Sequence, residues 1–184
     1  MRDSWGLRRA DGEARGAPPP GEGPRVVLDN IRSAFNVGSI FRTADAAGAT
    51  HLYLCGISAT PANPRVVKTA LGAERTLPWS HHISTTEVVA RLREERMAVI
   101  AVELTARSLP YTAVAIPERV AFVFGHEVAG IAVPVLDQCD LVVEIPMVGH
   151  KHSLNVATSV GVILFEALRQ RTAQGRTGFE GRSD

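Results

Sequence analysis

The stretch Ile145-Pro-Met-Val-Gly-His-Lys-His-Ser-Leu-Asn-Val-Ala-Thr-Ser-Val-Gly-Val-Ile-Leu-Phe-Glu-Ala-Leu-Arg-Gln170 decides how the rest of the chain is read. A polar turn bearing Gly149 runs straight into a helical pattern. Val156, Val160, Ile163, Leu164 and Ala167 supply its apolar face, and Ser153 and Asn155 place hydrogen-bonding groups at its entrance. A helix over Ser153–Arg171 would open on unpaired backbone N–H groups that favour an acceptor or anion, behind a loop able to wrap a ligand with its backbone.

Outward from this unit, short β-like runs alternate with helical ones. Strands are predicted at Arg25–Leu28, Thr50–Cys55, Ala98–Val102, Val120–Phe124 and Leu141–Ile145. Helices are predicted at Asn36–Ala47, Arg65–Leu71, Ser84–Arg96, Gly130–Asp137 and Ser153–Arg171, and Ser84 and Glu87 stand at capping-box spacing. The alternation predicts an α/β fold, a mainly parallel sheet with helices on both faces. Ligands in such folds bind where loops leave the carboxyl ends of the strands. Three of these ends carry unusual loops, 103–107, 125–130 and 146–152, which are candidate walls of one pocket.

The chain has 184 residues, 45% of them hydrophobic, which suits one domain with a real core. Residues 1–24, with Pro18, Pro19 and Pro20, and residues 172–184 are polar and rich in glycine, and are expected to be flexible tails around a domain at 25–171. The formal charge of +1 advertises no global field for nucleic acid, so any such partner must be met by local Arg and Lys. Cys55 and Cys139 lack metal-type spacing and read as reduced core thiols, which suits a cytoplasmic setting. Nothing at the N-terminus resembles a signal peptide, and no run is long enough to cross a bilayer, so no membrane partner is expected.

Three motifs carry the chemistry. In Asn36-Val-Gly-Ser-Ile-Phe-Arg42-Thr-Ala, Asn36 is able to cap the helix, and Arg42 lies in a small, apolar segment. An Arg so placed is either paired with a carboxylate or aimed at a phosphate or other anion. In Phe124-Gly-His-Glu127-Val-Ala-Gly130, Gly125 permits close approach of backbone to a ligand, and Glu127 is able to pair with Arg42 or Lys151. In the third, Ile145–Gln170, Ser153 reads as an ordinary N-cap and Asn155 as a helix-surface residue, unless both face a ligand.

Taken together, in order, spacing and residue types, the three motifs resemble those of the SpoU/TrmH-type RNA 2′-O-ribose methyltransferases of the SPOUT superfamily. The resemblance covers Arg25 to about Arg171. It implies a C-terminal deep trefoil knot, a homodimer, and a pocket for S-adenosylmethionine touching Leu104, Thr105, Gly125, Ile145, Met147, Ser153 and Leu154. It also implies methyl transfer to a ribose 2′-hydroxyl of tRNA or rRNA. Arg42 would then act as catalytic group, Asn36 would position it or the ribose, and Glu127 would fix Arg42 or neighbouring donors. Ser153 and Asn155 would hold substrate or close the cofactor pocket. Arg32, Arg42 and Lys151 would meet RNA.

His150 and His152, like His81 and His82, lack a Cys, Asp or Glu at ligand spacing, so no metal is expected. Trp79 suits either a base stack or a loop anchor. Two rival readings remain: an inactive RNA-binding protein of the same fold, and a generic nucleotide-binding module, which lacks a G-x-G-x-x-G fingerprint here.

Overall fold

The computed structural model describes residues 23–150 and 153–175. Its strands are β1 (Arg25–Asp29), β2 (His51–Cys55), β3 (Trp79–His82), β4 (Ala98–Val102), β5 (Leu109–Pro110), β6 (Val120–Phe124) and β7 (Leu141–Glu144). They form one seven-stranded sheet in the order β3-β2-β1-β6-β4-β7-β5, and every pair is parallel. The helices are α1 (Ala34–Ala46), α2 (Pro64–Ala70), α3 (Ala73–Thr76), α4 (Thr85–Glu94), α5 (Val133–Leu136) and α6 (Val156–Ala173).

Because side chains alternate along a strand, each central strand feeds two cores. In β6, Val120, Phe122 and Phe124 pack under α1, α2, α3 and α6, while Ala121 and Val123 pack under α4 and α5. Both rings of β6 are essentially removed from water, each contributing about 2–3 kcal/mol. A strand with no polar face reads as a continuous apolar run, which is why the sequence shows β6 so clearly. Helices therefore cover both faces, as expected. At the contact of α1 with α2, Gly38 leaves no room for a side chain, since a Cβ there would collide with the Val66 carbonyl and the Thr69 hydroxyl.

Several local expectations change. Asn36 does not cap α1: Ser33 does, its Oγ accepting from Asn36 N–H at 3.3 Å. Likewise Asn155, not Ser153, caps α6, its Oδ1 accepting from Ala157 N–H at 2.9 Å, so the helix begins at Val156. Ser84 caps α4 as its spacing predicts. Strand β3 escapes the sequence reading, because Trp-Ser-His-His at a sheet edge shows no apolar pattern and is ordered by pairing with β2. Trp79 sits on this strand with its ring edge-on to Phe41, 6.4 Å between centroids, which is the anchoring arrangement.

Gly23 and Pro24, placed in the tail by the sequence, are buried, and the Pro24 carbonyl accepts from Thr50 N–H at 2.9 Å. Thr172 and Ala173, placed in the other tail, continue α6, while residues 1–22 and 176–184, along with Lys151 and His152, lie outside the described residues. Both cysteines are free thiols, and burial pushes each up to about 12, so neither is a ready nucleophile. No helix of the described residues is long and apolar enough to cross a membrane.

Candidate active site

The sheet order sets β6, β4 and β7 side by side, so the loops leaving their carboxyl ends converge. Between them and the start of α6 lies a pocket of about 460 Å³. Leu104 closes one wall, the Gly125–Val128 segment another, and Ile145, Pro146 and Met147 a third, with Ser153, Leu154 and Ser159 at the α6 end. Of the residues assigned to the cofactor from sequence, Thr105 is the exception. It does not line the pocket, because its N–H is donated to Ser108 Oγ at 3.1 Å within a turn of its own.

The loop after β6 is closed by its own hydrogen bonds. His126 N–H donates to the Gly130 carbonyl at 3.1 Å and Gly130 N–H returns to the His126 carbonyl at 2.8 Å. His126 Nδ1 also accepts from the N–H groups of Val128 and Ala129, at 3.0 and 3.2 Å. The space a side chain would take at Gly125 is filled by the backbone of Gly130 and Ile131. The glycine therefore lets the loop close on itself, and its backbone also lines the pocket.

This closed loop presents Glu127 to the start of α1. Its carboxylate accepts from Arg32 N–H at 2.9 Å, Ser33 N–H at 3.1 Å and Asn36 Nδ2 at 2.9 Å. The pairing of Glu127 with Arg42 does not occur. Orphan N–H groups at a helix entrance outcompete a guanidinium more than a turn further along. Burial would push the Glu127 carboxyl up, but hydrogen bonds from its own N–H, Arg32, Asn36 and Ser33 hold it below the usual carboxylate range. Asn36 turns its amide oxygen the other way, accepting from Asn155 Nδ2 at 3.1 Å. One chain of contacts thus joins all three motifs at the pocket rim.

Arg42 is exposed on α1 and has no hydrogen-bond or carboxylate partner among the described residues. Arg32 is exposed too, engaged only through its backbone. Two pocket carboxylates are missed by the sequence reading. Glu103 ties two walls together, accepting from Leu104 N–H and Ile131 N–H, each at 3.0 Å. Glu144 accepts a short hydrogen bond from Ser108 Oγ. Both sit at or beside strand carboxyl ends, the position that should draw attention to them. With Glu127 they give the described lining three carboxylates and no Lys or Arg. Among the described residues no group of three or more His, Cys, Asp or Glu is placed to hold a metal ion.

A strand-end pocket of this size, walled by backbone-rich loops on a doubly covered parallel sheet, defines an α/β protein with a small-ligand type of site, lined by apolar side chains and carboxylates. The family is a further finding: residues 23–165 match the SpoU rRNA Methylase family, and the chain belongs to it. The 23S rRNA (guanosine-2′-O-)-methyltransferase RlmB of Xylella fastidiosa is 34% identical over 152 residues, spanning 83% of this chain and 61% of that protein. The chain thus spans about 60% of the length of such curated relatives. Among solved structures, the SpoU methyltransferase AviRb from Streptomyces viridochromogenes, in complex with AdoMet, superposes with a TM-score of 0.78 at 30% identity. That match covers 85% of this chain and 64% of AviRb. A TrmH/SpoU tRNA modifying enzyme of A. aeolicus gives a TM-score of 0.79 at 25% identity, covering 88% and 80% of the two chains.

Proposed function

We propose that this protein transfers the methyl group of S-adenosylmethionine to the 2′-hydroxyl of a ribose in tRNA or rRNA. The observation that carries the reading is the Glu127–Asn36–Asn155 chain of contacts at the pocket rim, on the helix that also bears the unpaired Arg42. RlmB of Xylella fastidiosa is a 23S rRNA (guanosine-2′-O-)-methyltransferase, and the A. aeolicus relative is a tRNA modifying enzyme.

The pocket suits the cofactor on its own chemistry. Its three carboxylates, with no opposing cation in the described lining, favour a sulfonium and an ammonium group. Leu104, Met147 and Leu154, each partly exposed at the mouth, offer apolar surface to a flat heterocycle. S-adenosylmethionine supplies an electrophilic methyl group. Leu104, Gly125, Ile145, Met147, Ser153 and Leu154 hold it, largely through backbone. Asn36 and Asn155 orient the ribose, and Glu127 keeps the entrance of α1 in place.

Arg42 is a poor base, because guanidinium stays protonated in proteins. It binds the nucleotide phosphate and stabilises the oxyanion that develops as the 2′-hydroxyl proton leaves through phosphate or water. Arg32 and Lys151 add phosphate contacts. Two finer features belong to the same reading. A deep trefoil knot in the C-terminal part is supported by β7, which inserts between β4 and β5 instead of adding at an edge. A homodimer is supported by the half-exposed Phe165 on α6. The free thiols suit a reducing cytoplasm.

Incubation of the purified chain with labelled cofactor and bulk tRNA or rRNA tests the proposal. Methyl label is expected on ribose, and Arg42→Ala should bind cofactor normally by calorimetry while losing turnover. Absence of label in both RNAs, or near-wild-type turnover by Arg42→Ala, overturns it.

A further inference from the structure

The cationic side chains divide into two populations. Arg25, Arg75, Arg91, Arg93, Arg107 and Arg169 each pair with a carboxylate. Arg32, Arg42, Arg65 and Lys68 pair with none among the described residues, and all four belong to α1, α2 or the turn entering α1. Arg96 beyond α4, Arg119, whose guanidinium donates to the Glu95 carbonyl, and the buried Arg171 also lack a carboxylate, but they do not lie on these helices together. The acidic groups on the α1–α3 side are already engaged: Asp45 accepts from Thr76, and Glu74 is held by Gly72 N–H and Arg75. Among the described residues, four of the seven cations without a carboxylate partner thus share the α1–α2 surface.

An aromatic ring sits in the middle of that surface. Phe35 is 45% exposed although it opens the first turn of α1, and the Arg65 guanidinium lies 6.0 Å from its ring centroid. Lys68 follows Arg65 by three residues on α2, and Arg42 follows Phe35 by seven on α1, so both pairs share a helix face. The close packing of the helices at Gly38 fixes the two faces relative to each other. Phe35 also directly precedes Asn36, whose amide contacts the pocket-lining Glu127.

We propose that the exposed face of α1 and α2 binds unpaired RNA flanking the target nucleotide, with one base stacked on Phe35 beneath Arg65, Lys68 on a flanking phosphate, and Arg42 leading from this face to the target nucleotide. The proposal rests on the methyltransferase reading of the pocket. A ribose hydroxyl is reached by splaying its nucleotide from the stack, which leaves the neighbouring base without a partner. An exposed ring beside the site replaces that stack with little regard to sequence, and loose cations follow the backbone.

Fluorescence anisotropy of the full chain with short labelled oligoadenylate and oligouridylate, across a salt series, tests this. Phe35→Leu, which keeps apolar packing but removes the ring, should weaken binding about tenfold, and Phe35→Tyr should restore it. Arg65→Gln should weaken binding with little change of salt slope, Lys68→Gln should lower the slope by about 0.7, and Arg96→Gln should leave both unchanged. Cofactor affinity should be the same in all five. If wild-type protein methylates RNA but Phe35→Leu and Arg65→Gln bind oligonucleotide as wild type does, the inference fails and the methyltransferase reading stands. If wild-type protein neither binds nor methylates RNA, both fail. If Phe35→Leu instead dissociates an oligomer at unchanged RNA affinity, the face belongs to a second copy of the chain and the inference is overturned.

Discussion

The Asn36 amide oxygen accepts a hydrogen bond from Asn155 Nδ2 at 3.1 Å, joining positions 119 residues apart. Asn36 gives its own Nδ2 to Glu127, and Asn155 spends its oxygen capping α6, so each amide works at both ends. An aspartate at either position would lose the donor half of this arrangement.

The first prediction concerns that pair. Asn36→Ala and Asn155→Ala should each weaken cofactor binding and stability, with a coupling of about 1 kcal/mol in a double-mutant cycle. Asn36→Asp should be worse than Asn36→Ala at neutral pH, because it sets a second carboxylate against Glu127. The Glu127 carboxyl is held low by its hydrogen bonds, so this excess penalty should persist down to the acid range and fade as the introduced carboxylate takes up a proton. Urea titrations from pH 7 downward measure it. Strictly additive alanine effects would show that the observed contact carries no energy.

How much of this is legible in the sequence depends on range. Arg42, Glu127 and Asn155 stand out as polar groups among apolar or glycine-bearing neighbours, and such local contrast is visible in a sequence. Their partners are not, because Glu127 bonds to Asn36 across 91 positions and no local rule favours backbone N–H donors over Arg42. The central strands declare themselves by continuous apolar runs, whereas β3 and the two-residue β5 exist through pairing with neighbours. Thr105 is carried over from the family resemblance, and only the turn built by Ser108 shows where its N–H goes.

Gly125→Ala tests the loop. The added methyl would run into the backbone of Gly130 and Ile131, which has no rotamer by which to give way. The expected cost is about 1–3 kcal/mol, together with loss of cofactor affinity as Glu127 shifts. Wild-type stability and affinity would mean that the loop relaxes freely.

A separate pH response is expected away from the pocket. His51 and His82 both approach Ser80 Oγ through Nε2 at 2.8 Å, beside Tyr53, Arg25, Arg91 and Glu95. Burial, helped by the charge of Arg25, pulls the His51 imidazole down to about 4. The unfolded chain binds this proton more readily than the folded one, so the stabilisation is fully present above about 6.5 and is lost as pH falls from there towards 4. His51→Gln should flatten that part of a curve of urea midpoint against pH while leaving the steeper carboxylate loss below about 4.5. An unchanged curve would remove His51 as its source.

The last prediction separates the charge of the pocket from its shape. Transfer of the methyl group turns a sulfonium into a neutral thioether, so substrate and product cofactor differ by one positive charge at nearly the same size. A lining with Glu103, Glu127 and Glu144 and no cation among its described residues should favour the charged form. Glu103 and Glu127 also hold backbone N–H groups in place, but Glu144 is bonded to the Ser108 hydroxyl, which a glutamine would still engage. Glu144→Gln should therefore keep the walls intact and weaken S-adenosylmethionine about fivefold, roughly 1 kcal/mol at an intermediate dielectric, while S-adenosylhomocysteine binds almost as before. Calorimetric titration of both ligands reads the ratio directly. Equal loss for the two would assign Glu144 to wall structure, and no loss for either would place the charge too far from the sulfur to matter.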